Sequence, residues 1–377
     1  MPRMYLRRRL LHSFSSISLI KSETMKKITT FFLALLGLNF GSACSGQNFE
    51  SQNVKEFGDF IKNNNVLLLD VRTPSEYAEG HLADAINIDV NGSDFIKNAL
   101  ERINKNFTIA VYCRSGRRSA NAAGMLAKEG FRVVNLSGGI TAWADAQKPV
   151  TTTSYEWDAF ATKSGKPVKI YSLIHASLRL IYDGKEIQID PVGKMGDRTT
   201  DYGQMPKANW LIVTHEHGDH LDKEAVATLT GANTQLITNQ RCADMLGKGV
   251  VMKNGDKREE SSFTLEAVPA YNITEGHTQF HPKGRDNGFI FTMDGLRIYV
   301  AGDTEDIPEM AEIKDIDIAF LPCNQPYTMT TEQLIKAART IKPKVLFPYH
   351  YGQTDVSSIP TALKADGIEV RIRETLR

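Results

Sequence analysis

Cysteine is scarce in this chain. The four residues Cys44, Cys113, Cys242 and Cys323 are spread over 377 positions, at spacings that suit neither a zinc knuckle nor a CxxC redox pair, and they exclude a disulfide-framed fold. Charge of one sign is lacking too. Lysine and arginine total 45 against 44 acidic residues, a formal net charge of +1, so no field is present to gather nucleic acid or an anionic membrane surface. The apolar run Phe31 to Phe40 is too short for a comfortable transmembrane helix. The remaining composition, 41% hydrophobic and 24% charged, is that of a globular protein long enough for two domains.

That apolar run belongs to an expected export signal over residues 1–46. From Met25 the chain reads MKKITTFFLALLGLNFGSACSG: a basic start at Lys26 and Lys27, an apolar stretch of secretory length, then a small-residue cleavage region. Met25 is the expected true start, the Arg- and Ser-rich residues before it reflecting a misplaced start codon or, alternatively, a transit peptide. GSAC resembles the lipobox of bacterial lipoproteins, although Gly41 stands where a Leu-like residue is usual. That resemblance implies cleavage before Cys44 and lipid on its thiol; a plain secretory cut after Ala43 is the other reading. Either one exports the protein to the periplasm or cell envelope.

Residues 47–150 alternate short apolar runs with helical patterns. VLLLDV (Val66 to Val71) and IAVYC (Ile109 to Cys113) have the continuous apolar character of strands buried on both faces, as in a parallel sheet covered by helices. SANAAGMLAKEG reads as an Ala-rich helix closed by Gly130, and RVVNL as a further strand. Cys113 therefore stands at the C-terminal end of a strand with a helix just after it, where open α/β sheets bind ligands. In the loop CRSGRR, a thiolate on Cys113 would face the first N–H groups of that helix, with Arg114, Arg117 and Arg118 adding charge. Ser115 and Gly116 complete the loop, and Gly116 lets successive N–H groups turn inward around a thiolate, a persulfide or an oxyanion. Cys242 and Cys323, in apolar company, read as small buried thiols.

The runs LLLDVRTPSEYAEGHLADAINI, VYCRSGRRSANAAGMLAKEGF and VVNLSGGITAW resemble a single-domain rhodanese along its whole length. The resemblance implies that Cys113 takes a sulfane sulfur and carries it as a persulfide to a thiol or cyanide. It also implies structural roles for Asp70 and Arg72. Asp84 departs from it, standing where the family often has glycine. The related phosphatase loop needs five residues between cysteine and arginine, whereas four separate Cys113 from Arg118.

The Thr-rich stretch from Val150 suggests a linker over residues 151–168. From Lys169, KIYSLIHASLRLIYDGKEIQID predicts two antiparallel strands joined at Asp183-Gly184. The C-terminal region, 169–377, holds seven of nine histidines. THEHGDH, GDTED and PYHYG each follow a predicted strand. In H-x-H-x-D-H the alternation lets His215 and His217 face one point while Asp219 and His220 face another, and a carboxylate such as Asp303 can bridge two ions. Imidazole and carboxylate donors suit two divalent metals, zinc first, with manganese or iron as alternatives. Paired metals share an activated water, and hydrolysis is the natural chemistry. Asp219 could also orient that water or shuttle its proton.

Through IHASL, THEHGDH, FHPKG, YVAGDTED, LPCNQPYTMT and PYHYGQTD this region resembles the metallo-β-lactamase superfamily, within it the branch similar to the ascorbate-6-phosphate lactonases. The resemblance implies an αββα sandwich and, as metal ligands, His215, His217, Asp219, His220, Asp303 and His350, with His281 of FHPKG as the remaining ligand. His277 in GHT resembles the glyoxalase II and persulfide dioxygenase pattern and is the alternative. His175 is read as structural or as support for a ligand, and Thr304 and Glu305 as supports behind Asp303.

The expectation is therefore an exported α/β enzyme of two domains. A rhodanese-type sulfurtransferase, fed by a sulfane-sulfur donor and a thiol acceptor, precedes a dinuclear hydrolase of small esters, lactones or phosphodiesters. An iron-dependent persulfide dioxygenase served by the rhodanese is the alternative. No nucleic-acid partner is expected, and the oligomeric state is left open.

Overall fold

The computed structural model describes residues 49–377, apart from 64 and 104. The expected export signal and Cys44 lie outside the described residues, among which no helix is long and apolar enough to cross a membrane.

The N-terminal domain is a five-stranded sheet in the order β1-β5-β4-β2-β3, built from β1 (Glu50–Gln52), β2 (Val66–Asp70), β3 (Ile86–Asn87), β4 (Thr108–Tyr112) and β5 (Arg132–Leu136), all parallel. Alternate residues of β2 explain why both faces are covered. Leu67 and Leu69 enter one core with Phe95 and Ala99 of α3 (Phe95–Arg102) and Ala122 and Leu126 of α4 (Arg117–Lys128). Val66 and Leu68 enter the opposite core with Phe57 of α1 (Val54–Phe60) and Trp143 of α5 (Gly139–Asp145). Between them, α2 (Pro74–Glu79) starts at a capping box in which Thr73 and Glu76 satisfy each other's backbone N–H groups, with Pro74 opening the helix.

The C-terminal domain packs a pair of seven-stranded sheets face to face. One contains β6 (Glu156–Ala161), β7 (Pro167–Ile174), β8 (Ser177–Tyr182) and β9 (Lys185–Ile189); beyond a short hairpin, β10 (Lys194–Met195) and β11 (Arg198–Thr199), it continues with β12 (Trp210–Val213), β13 (Gln235–Thr238) and β14 (Val250–Val251). The other runs in chain order through β15 (Lys257–Glu259), β16 (Thr264–Ala270), β17 (Asp286–Met293), β18 (Leu296–Val300), β19 (Ile318–Pro322), β20 (Val345–Tyr349) and β21 (Glu369–Val370). Leu178 and Leu180 from the first sheet meet Phe289, Phe291 and Ile298 from the second in one core. Outside it, α6 (Lys223–Leu229) and α7 (Gln240–Leu246) cover the first sheet through Val226, Leu229 and Cys242, while α8 (Thr331–Ile341) and α9 (Ile359–Leu363) bring Leu334 and Ile359 to the second.

Two expectations change. The stretch 151–168 contains strand β6, because Glu156–Ala161 alternates: Trp157 and Ala159 pack on the core of the N-terminal domain, and Phe160 on that of the sandwich. The run from Lys169 to Ile189 forms three strands, because the chain also reverses at His175-Ala176, where Ile174 pairs with Ser177 and His175 takes φ +55°. The turn at Asp183-Gly184 is present, with φ +50° and +72° and Tyr182 opposite Lys185, as a type I′ turn requires.

Asp84 adopts φ +64°, a conformation that glycine enters without strain. Its carboxylate lies 3.5 Å from Arg179 of β8, whose guanidinium forks onto Glu186 at 2.7 and 2.8 Å. The side chain that replaces glycine thus faces across the junction between the domains.

Candidate functional site

In the N-terminal domain the chain leaves β4 at Cys113 and curls into α4. Cys113 is 1% exposed and its Sγ accepts from Gly116 N at 3.2 Å and Ser119 Oγ at 3.4 Å. Burial raises the pKa of the thiol, but the hydrogen bonds from the Ser119 hydroxyl and from the N–H groups of Ser119, Ser115 and Gly116 outweigh it, leaving the thiol more acidic than usual. The loop is held from below by α5: Ile140 N and Thr141 N donate to Cys113 O and Arg114 O, and a Cβ on Gly139 would stand 2.3 Å from Cys113 O. Arg114 and Arg117 are exposed beside the loop. Arg118, expected to add charge at the sulfur, instead forks onto Glu76 at 2.7 and 2.5 Å. Among the described residues no arginine hydrogen-bonds Sγ; the thiolate is favoured by backbone and hydroxyl donors.

At the strand ends of the C-terminal domain, histidines and aspartates gather into a pair of four-residue clusters. His215, His217, His281 and Asp303 make one; His175, Asp219, His220 and His350 make the other; the donor atoms of each lie within 4.8 Å of one another. Asp303 stands between them, its Oδ2 3.3 Å from both His281 Nε2 and His350 Nε2, its Oδ1 3.2 Å from His220 Nε2. His277, the alternative to His281, is outside both clusters and faces Glu305 at 3.3 Å.

These donors fit metal ions better than they fit one another. His220 Nε2 and Asp303 Oδ1 are close, yet each is buried without a hydrogen-bond partner, as is His175 Nε2. Orphaned buried polar atoms are costly. Here they converge on common points, and their mixed nitrogen and oxygen chemistry suits zinc, manganese or iron.

The Nδ1 atoms of His215, His220 and His281 are held in turn, which fixes the orientation of those three rings. Thr214 Oγ1 meets His215 Nδ1 at 3.0 Å, Asp190 Oδ2 meets His220 Nδ1 at 2.8 Å, and Asp286 Oδ2 meets His281 Nδ1 at 3.0 Å. Asp190 also accepts from Thr214 N and Oγ1. Glu305 accepts from Ile273 N and Thr274 N at 2.7 Å each, fixing the loop that leads to His281. Asp190, Thr214 and Asp286 were not singled out in the sequence; only their places at strand ends beside the motifs marked them.

His175, read from the sequence as structural or as a support, lies among the possible donors of the second cluster. Its N–H donates to Thr375 O at 2.8 Å and its Nδ1 lies 3.3 Å from Arg377 O. Arg198 clasps the same segment through the carbonyls of Glu374, Thr375 and Arg377. Arg198→Ala is expected to weaken metal binding at the His175 cluster by about 10-fold to 100-fold while the other cluster keeps its ion. Stoichiometry under chelator competition checks this; equal loss from both clusters would contradict it.

Electrostatics couple the clusters to protons. Burial holds His215 well below its usual pKa, and burial together with the charge of His350 brings His175 down to about 4. For His350 burial also opposes charge, but Asp303 and Asp219 outweigh it and raise the pKa to about 9. Burial raises the pKa of Asp303, yet the positive charges of His220 and His350 beside it hold it well below the carboxylate range. A ligating imidazole must be neutral, so metal uptake at pH 7 expels the His350 proton. Affinity should therefore rise from pH 7 toward 9, with about one proton released per His350. A weakly buffered titration measures it; no release at pH 7 would contradict this charge assignment.

Residues 169–350 match the model of the beta-lactamase superfamily domain, and residues 53–146 that of the rhodanese-like domain. Fold and site thus define a class: a metal-dependent hydrolase of the metallo-β-lactamase superfamily preceded by a rhodanese-like domain. A UPF0173 metal-dependent hydrolase of Archaeoglobus fulgidus is 30% identical over 220 residues, covering 54% of this chain and 94% of its own. That of Thermococcus kodakarensis is 31% identical over 195 residues, 49% and 84%. The crystal structure of a candidate metal-dependent hydrolase from Parabacteroides distasonis is 53% identical, with a TM-score of 0.57, covering 59% of this chain and all of that one. The chain belongs to the UPF0173 metal-dependent hydrolase family.

Proposed function

We propose that the protein is an exported two-domain enzyme: a sulfurtransferase that carries a persulfide on Cys113, followed by a dinuclear hydrolase of small ester, lactone or phosphodiester substrates, of the branch similar to the ascorbate-6-phosphate lactonases. The observation that carries the hydrolase is the pair of four-donor clusters that meet at Asp303. Two divalent ions, zinc before manganese or iron, supply when bound a Lewis acid for the substrate oxygen and a water of lowered pKa. His215, His217 and His281 would hold one ion, and Asp219, His220 and His350, joined by His175, the other, with Asp303 lying between them. Asp219, with 31% of its side chain exposed, is the carboxylate an incoming water meets, and it orients that water's protons.

In the first domain Cys113 attacks a sulfane sulfur such as that of thiosulfate. The donor's S–S bond breaks, sulfite leaves, and a thiol or cyanide then takes the outer sulfur and restores the thiolate. The inward N–H groups of Ser115, Gly116 and Ser119 support this by favouring the thiolate, and exposed Arg114 and Arg117 favour an anionic donor. Arg118 braces the loop through Glu76. The basic, apolar and small-residue pattern from Met25 to Cys44 supports the periplasm or cell envelope, with either lipid on Cys44 or a plain secretory cut after Ala43.

The test gives the zinc- or manganese-loaded full chain p-nitrophenyl acetate, a γ-lactone and bis(p-nitrophenyl) phosphate, and separately thiosulfate with cyanide. Turnover of at least one of the first three and formation of thiocyanate are expected. Failure of either assay by a fully metal-loaded, reduced protein overturns the corresponding half.

A further inference from the structure

The loops that supply the ligands also leave an apolar face in solvent. Six large hydrophobic side chains are exposed among the described residues, and two of them, Ile273 at 45% and Tyr327 at 46%, belong here. Phe280, immediately before His281, packs edge-on against Tyr327 with ring centroids 5.0 Å apart.

This face is built, not frayed. Asn272 Nδ2 donates to Tyr327 O at 2.8 Å while Asn272 N donates to His281 O at 2.9 Å. Glu305, two residues past Asp303, anchors Ile273 N. The turn that carries Tyr327 also reaches the opposite ligand loop, since a Cβ on Gly352, two residues past His350, would stand 3.3 Å from the Asn324 side chain. Apolar surface held this close to the donors gains free energy when another apolar group covers it.

Charge narrows the choice further. Lys283 and Arg285, the cations that follow His281, are both in ion pairs. Lys283 Nζ meets Glu309 at 2.7 Å and the Tyr271 hydroxyl at 3.1 Å; Arg285 forks onto Asp286 and reaches Phe280 O, all at 2.7 Å. Arg285 is committed to Asp286, and the charge of exposed Lys283 is balanced by Glu309.

We propose that Ile273, Phe280 and Tyr327 form the specificity-determining surface of the hydrolase, and that its substrate is an uncharged carboxylic ester or lactone whose aliphatic or aromatic group lies against them. This rests on the hydrolase reading above and separates the acyl substrates from the phosphodiesters. Water adds across the acyl C–O bond, giving a carboxylic acid and an alcohol, and the apolar group stays on the surface until product leaves.

The experiment measures binding of straight-chain hydroxamates, from acetohydroxamate to octanohydroxamate, to the zinc-loaded full chain by calorimetry, beside turnover of p-nitrophenyl acetate, p-nitrophenyl hexanoate and bis(p-nitrophenyl) phosphate. Affinity should rise by up to about fourfold per methylene covered, and Tyr327→Ala should flatten the rise with zinc content unchanged. Flat binding in the unmodified protein, a rise that survives in the Tyr327→Ala, Ile273→Ala double variant, or faster turnover of the phosphodiester than of either ester would each overturn the proposal. Length-dependent binding with no turnover of any ester, lactone or phosphodiester would instead overturn the hydrolase reading on which it rests.

Discussion

Asp303→Ala is expected to strip the protein of at least one ion and to lower hydrolysis about a thousandfold or more, while sulfur transfer continues unchanged. The reason is geometric. Asp303 is 2% exposed, and its two oxygens lie within 3.3 Å of His220, His281 and His350, so its loss removes an anionic donor from both clusters at once. The Lewis acidity so lost is worth several kcal/mol of transition-state stabilisation, and each 1.36 kcal/mol is a factor of ten in rate. Asp303→Asn keeps the shape without the charge and separates ligation from packing: it should also lose metal. Full metal content in either variant would remove Asp303 from the centre.

Cys113→Ser should lower sulfur transfer from thiosulfate to cyanide to background, leaving metal content and hydrolysis intact. Serine matches the size of cysteine in the loop, so Gly116 N and Ser119 Oγ keep a partner. An alcohol oxygen is not ionised at neutral pH, however, and forms no persulfide. A fall in metal content in this variant would mean that the two domains share one site, contrary to the separate hydrogen-bond networks around Sγ and around the histidine clusters.

The sequence makes legible those features whose cause is local. The continuous apolar runs of β2 and β4 read as strands buried on both faces, and that placed Cys113 at a strand end. The alternation in HEHGDH divided its side chains between two points, as the clusters are divided. Features set by distant partners were not legible. His175 sits in IHASL with no glycine, proline or asparagine to mark a turn, and its left-handed backbone is fixed by Thr375 and Arg377, some two hundred positions along the chain. EWDAFA reads as polar connection until the cores on its two sides are known. Asp190 and Asp286 look like ordinary acidic residues at strand ends, and only the ring nitrogens they hold reveal their work.

A centre of two ions doing hydrolysis leaves a direct signature in metal content and oxygen use. Both are read from anaerobically purified protein lacking Met1 to Cys44, by metal analysis alongside oxygen uptake with glutathione persulfide. Two equivalents of zinc or manganese per chain and no oxygen uptake are predicted. One iron per chain with persulfide-dependent oxygen consumption would contradict the dinuclear hydrolase, making the second domain a persulfide dioxygenase supplied by the first.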